Sequence, residues 1–197
     1  ASADVTPDFF PVFVNGGMLS RVAKEVRAKL FARAIVVDDG RTKLAIVVVD
    51  SCMMPRDVID RAKAQASEAT GIPIQNMLVS ATHTHTAPAS GGALGTPNDP
   101  KYAAFLAPRI AEAIIDAHAN LTPARVGAAV ADANEYTALR RWVRRPDKML
   151  TDPFGNVSVR ANMHPGPQSP DAIGPTGPED PDLSIVAFQE AKNPWRP

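Results

Sequence analysis

Two hydrophobic periods alternate along this chain. Residues 29–37, ending in Ile35-Val36-Val37, and the apolar run 44–49 are both strand-like, and Asp38-Asp39-Gly40-Arg41 between them supplies turn residues. This pattern predicts a β-hairpin. The second strand is apolar on both faces, which predicts a central strand covered on both sides by other layers. Beyond Asp50 the period lengthens: Pro55 suits a first helical position, Val58, Ile59, Ala62, Ala66 and Ala69 recur at helical spacing, and Gly71 suits a stop. A third strand follows over 76–82. Strand, helix and strand then form one parallel crossover unit. A second helix is predicted over 101–119, where Tyr102, Phe105, Leu106, Ile110, Ala113, Ile114 and Ala117 share a face. Pro108 inside it either kinks the helix or marks its true start. Further strands are expected at 124–131 and 183–188. The sum is an α/β chain with layered mixed sheet flanked by helices.

Composition narrows the class. The 197 residues are 45% apolar and 21% charged, enough for a buried core and too ordinary for disorder. Lys and Arg number 21 and Asp and Glu number 21, so there is no global basic field for nucleic acid or an anionic membrane. Cys52 is the only thiol, which excludes an internal disulfide framework and a multi-cysteine metal site. No apolar run approaches the roughly 20 residues of a transmembrane helix. Ten of the 19 prolines fall in residues 146–197, so the last quarter is expected to be proline-rich and extended.

The chemistry concentrates in Ser80-Ala81-Thr82-His83-Thr84-His85-Thr86-Ala87-Pro88-Ala89-Ser90-Gly91-Gly92. In extended chain, residues two apart point to one side, so His83 and His85 could converge on one volume. Their position just past a parallel strand is where ligands gather in open α/β sheets. Neutral imidazole is a good zinc ligand, and catalytic zinc takes about three protein groups while keeping one position open. The same two side chains could equally be hydrogen-bonded loop residues. Flexible-loop glycine is likewise the plain alternative to substrate contact at Gly91, Gly92 and Gly95.

This segment resembles the Ser-Ala-Thr-His-Thr-His-Ser-Gly-Pro signature of the neutral ceramidase family, the neutral/alkaline non-lysosomal amidases. Asp4-Val5-Thr6-Pro7, Leu30-Phe31-Ala32-Arg33-Ala34 and Gly177-Pro178-Glu179-Asp180-Pro181-Asp182-Leu183-Ser184 agree with other stretches of that family in order. The resemblance implies an amidase domain whose zinc is held by two His, a Glu and a Tyr. By motif position His83 is the first zinc ligand, and His85 lies beside the metal to orient substrate or move a proton. Arg140, in Ala138-Leu139-Arg140-Arg141-Trp142, matches an active-site Arg suited to a developing oxyanion. Thr86, Ala87, Ala89 and Ser90 depart from the family's small residues and imply a reshaped mouth, and Leu139 stands where Asn is usual. The other zinc ligands are expected beyond Pro197, which would make residues 1–197 the amino-terminal part of a longer amidase domain.

The expected function is therefore zinc-dependent hydrolysis of a lipid-like N-acyl amide, with the remainder of the protein as partner in the site. A metal-dependent esterase or lactonase on a polar substrate, or a non-catalytic binding module, are the alternatives. The family is commonly exported, which implies a secreted or periplasmic protein. Four guanidiniums in Arg140, Arg141, Arg144 and Arg145 could grip an anion or pair with acids such as Asp147 and Asp152. His164 reads as structural before it reads as a ligand, and Trp195 as packing. Asp50 could orient a ligand His or cap a turn. His118 suits a helix end, and Cys52 reads as core packing.

Overall fold

The computed structural model describes residues 1–163 and 169–191, which form two units, Ala1–Thr122 and the remainder from Pro123. In the first unit the strands are β1 (Ser2–Asp4), β2 (Val12–Val14), β3 (Arg21–Ala23), β4 (Phe31–Asp38), β5 (Lys43–Val49) and β6 (Met77–Ala81). Its helices are α1 (Arg56–Thr70) and α2 (Pro100–Ala119). A four-stranded sheet runs β1-β4-β5-β6, antiparallel except for the parallel β5–β6 pair that α1 connects. The predicted hairpin and crossover are both present.

Alternation fixes which face of this sheet meets the helices. Ala32, Ala34 and Val36 of β4, Ala45, Val47 and Val49 of β5, and Met77 and Val79 of β6 are buried and join the core. Against them lie Val58, Ala62 and Ala66, four residues apart on α1, and Leu106, Ile110 and Ile114 on α2. Small residues at the sheet positions let the helices sit close, and burial of each large aliphatic contributes about 1.5–3 kcal/mol. Gly71 ends α1 in the left-handed conformation, φ 71°, with its N–H donated to the Ser67 carbonyl. This is the geometry a helix stop of this kind requires.

The second helix begins one residue earlier than its periodicity predicts. Asp99 accepts the Tyr102 backbone N–H at 3.0 Å as the N-cap, and Pro100 takes the first helical position. Pro108 is neither start nor break; the helix passes through it. Tyr102, fully buried, donates its hydroxyl to the Val5 carbonyl at 3.0 Å and so ties α2 to the chain just after β1. Both neighbouring carboxylates and burial push its phenol well above the usual range, burial foremost.

The expectation that β5 is covered on both sides does not hold within the first unit. Ile35, Ile46 and Leu78 are cross-strand neighbours on the face away from α1 and α2, and they are 37%, 41% and 59% exposed. Continuous apolarity in β5 therefore marks two apolar faces of which the helices cover one.

At the amino-terminal edge, hydrogen bonds from Thr6 and the Lys29 ammonium at 3.0 Å hold the Asp4 carboxyl at a pKa of about 2, against an ordinary 3.8. The folded value lies below the unfolded one, so Asp4 stabilises the fold above about pH 4 and loses that contribution as pH falls towards 2. A urea midpoint followed over this window is expected to fall with acid, and Asp4→Asn is expected to remove part of that slope.

The second unit is built of strands: β7 (Ala124–Asp132), β8 (Arg141–Arg144), β9 (Leu150–Thr151), β10 (Val157–Val159), β11 (Ala161–Met163), β12 (Ala172–Pro175) and β13 (Asp182–Glu190). The two predicted strands pair with each other, β7 and β13 antiparallel from Ala124↔Glu190 to Asp132↔Asp182. A three-stranded β11-β8-β12 sheet and a β9-β10 pair complete the unit.

Candidate functional site

The parallel strand β6 ends at Ala81, and the chain then turns instead of continuing extended. His83 has φ +61°, a left-handed conformation rare outside glycine. The convergence of His83 and His85 was expected from strand alternation; it comes instead from this turn, which sets the two rings edge to face with centroids 4.9 Å apart. Both side chains are exposed.

The imidazole of His83 has a fixed tautomer. Its Nδ1 lies 2.7 Å from the Cys52 carbonyl oxygen, which can only accept, so Nδ1 carries a proton and, in the neutral ring, Nε2 holds the lone pair. A backbone carbonyl on one ring nitrogen is the usual support for a His that offers the other to a metal. Cys52 also brings its thiol, buried at 2% exposure, with Sγ 3.8 Å from the same Nδ1. Ligating atoms of Cys52, His83 and His85 all lie within 4.8 Å of one another. Burial pushes the Cys52 thiol pKa up. Cys52 is buried among the core residues, as its sequence reading expects, and it also borders the histidine pair; its proximity to His83 spans 31 residues and has no local signal.

A wall of three further residues holds His85, and sequence reasoning missed it. Gly16, at φ +102°, packs so closely on His85 that a Cβ added there would lie 2.4 Å from the His85 Cβ and Cγ. The Arg21 guanidinium donates to the carbonyls of His85 at 2.7 Å and Asn15 at 3.2 Å. Asn15 is 1% exposed and donates its amide to the Gly91 carbonyl at 2.9 Å. Backbone bonds from Ala89 to Phe13 and from Asn15 to Ala87 fasten β2 along the loop. The Asn15-Gly16-Gly17 run was the available signal, since paired glycines after Asn allow close backbone approach.

Other candidates fall elsewhere. Asp50 accepts the Phe31 backbone N–H and the Arg33 guanidinium, each at 2.9 Å, so it fastens β4 and neither orients His83 nor caps the turn before Pro55. His118 accepts from the Lys43 ammonium at 3.1 Å. In the second unit Arg145 pairs with Asp147 and Arg144 with Asp171, at 2.8 and 3.2 Å, the ion-pair reading of the arginine cluster. Asp152 instead accepts from the Ser158 hydroxyl and the Asn156 backbone N–H. Arg140 is exposed in the second unit, directly before β8. His164 and Trp195 lie outside the described residues.

Among the described residues no helix is long and apolar enough to cross a membrane. No protein-family model matches the chain, and no curated protein does. Solved structures do. The chain superimposes on the crystal structure of neutral ceramidase from Pseudomonas aeruginosa with a TM-score of 0.66 at 20% identity, covering 96% of this chain and 29% of that one. A ceramidase complexed with C2 gives 0.65 and 20%, covering 96% of this chain and 28% of that one. The chain thus spans less than a third of the proteins it resembles, and over nearly all of its own length it has the neutral ceramidase fold.

Proposed function

We propose that this chain carries part of the active site of a zinc-dependent, ceramidase-like hydrolase that cleaves an N-acyl amide. The observation that carries the reading is the His83 imidazole, held through Nδ1 by the Cys52 carbonyl, in a cluster where ligating atoms of His83, His85 and Cys52 lie within 4.8 Å of one another. Nitrogen and sulfur donors at this spacing suit zinc. Zinc bound there would supply a Lewis acid for the amide carbonyl and an activated water as nucleophile.

The chain's own groups divide the remaining work. His83 would bind the metal through Nε2, its orientation set by the bond to Cys52. His85, exposed beside it, would orient the substrate or carry the proton that the leaving amine must acquire. Arg140 would steady the developing oxyanion, the role its match to the family's Arg implies. The remaining ligands, a His, a Glu and a Tyr, would come from outside residues 1–197, and an exported protein fits this reading.

The test is hydrolysis by the full-length protein of an N-acyl amide and its matched ester. Amide cleavage that stops on chelation and returns with zinc is expected. Ester cleavage alone would favour an esterase or lactonase, and amide cleavage indifferent to chelation would overturn the metal.

A further inference from the structure

A groove of about 780 Å³ opens off the His loop, entirely within the first unit. Phe10, Val12, Val14, Val22, Val26 and Leu30 line it, and the lining includes Thr86 and Pro88, the first and third residues after His85. Its volume lies within the ~300–1,000 Å³ of small-molecule sites. Val22 and Val26 are 49% and 46% exposed, apolar surface that a ligand would cover with gain.

The charge along this groove departs from that of the chain. Arg21, Lys24 and Arg27 line it against one acid, Glu25, whereas the chain as a whole is neutral. Arg21 is committed to the carbonyls of Asn15 and His85. Glu25 neutralises little, because its contact with Arg27 is 3.9 Å long and both side chains are more than three-quarters exposed. An apolar trough whose lining carries surplus cations fits a hydrocarbon chain ending in an anion, and Arg receives a carboxylate through two parallel N–H bonds.

We propose that this groove binds an anionic amphiphile, its unbranched chain along the Val and Phe side chains and its carboxylate at Lys24 and Arg27. This rests on the zinc-hydrolase reading only for its consequence: the substrate would be an N-acyl amide that carries a carboxylate, presented to His85 from the neighbouring groove. Binding itself is independent of that reading.

Titration calorimetry of the protein with dodecanoate, dodecanol and dodecyltrimethylammonium tests it. Dodecanoate is expected to bind tightest, in wild type and in His83→Ala alike. Val26→Asp, at an exposed position, is expected to weaken dodecanoate by roughly tenfold or more. Lys24→Glu with Arg27→Glu is expected to abolish the preference for dodecanoate while dodecanol binding persists. No saturable binding, equal binding of all three compounds, or unchanged binding in Val26→Asp with circular dichroism intact would overturn the proposal. Loss of amide hydrolysis with dodecanoate binding retained would instead count against the catalytic reading and leave the groove standing.

Discussion

Gly16→Ala is expected to destabilise the protein by about 2–6 kcal/mol and to dismantle the histidine pair at the same time. Two costs add. At φ +102° any residue with a Cβ is strained, by ~1–3 kcal/mol. The new methyl would also lie 2.4 Å from the His85 Cβ and Cγ and 2.6 Å from its Cα. Overpacking of this kind costs ~1–3 kcal/mol because backbone, with no rotamer to change, must move. Here the backbone on both sides is fastened. Ala89 donates to Phe13 at 2.8 Å, and Arg21 joins the His85 carbonyl to that of Asn15. His85 would therefore be displaced with its loop. A drop in the urea midpoint together with weakened zinc binding is the expected result; Gly17→Ala, whose nearest neighbours stand at 3.2–3.3 Å, is expected to cost less.

Ile110→Ala and Ile46→Ala form a matched pair with the next largest difference. Ile110 is fully buried on α2, and its truncation removes transfer energy and leaves a cavity, for ~2–5 kcal/mol. Ile46 is 41% exposed on the open sheet face, so the same chemical change is expected to cost under about 1 kcal/mol. Equal losses in chemical denaturation of the two variants would mean that the open face is covered.

The longer elements of the first unit were legible because each obeys one period: the hairpin through alternation, α1 through its Val58-Ala62-Ala66 stripe, and the crossover through the order of the two; the three-residue strands β1, β2 and β3 are too short to show one. What faced the sheet was not legible. Ile46 and Val47 are adjacent, equally apolar residues, and only the three-dimensional placement of the helices buries one and leaves the other open. The strands β7 and β13 could be read singly, yet their pairing joins residues up to 66 positions apart, from Ala124 to Glu190, and leaves no trace in local pattern.

At the site, residue types were legible and geometry was not. Two histidines in a Thr-rich strip marked the segment, but strand alternation was the wrong reason for their meeting; a left-handed His83 brings the rings together. Arg21 reaches His85 across 64 residues and Asn15 reaches Gly91 across 76, so neither contact could be read from spacing. The burial of Cys52 was legible and its contact with His83 was not, since its carbonyl and thiol both face a histidine from a distant loop.

Zinc titration of the full-length protein beside its His83→Ala and His85→Ala variants tests the central claim most directly. One zinc per chain is expected in the wild type, with affinity reduced by more than about a hundredfold in His83→Ala, since even supporting residues of metal ligands are worth ~10–100-fold. A stoichiometric zinc bound equally tightly by His83→Ala would contradict the account.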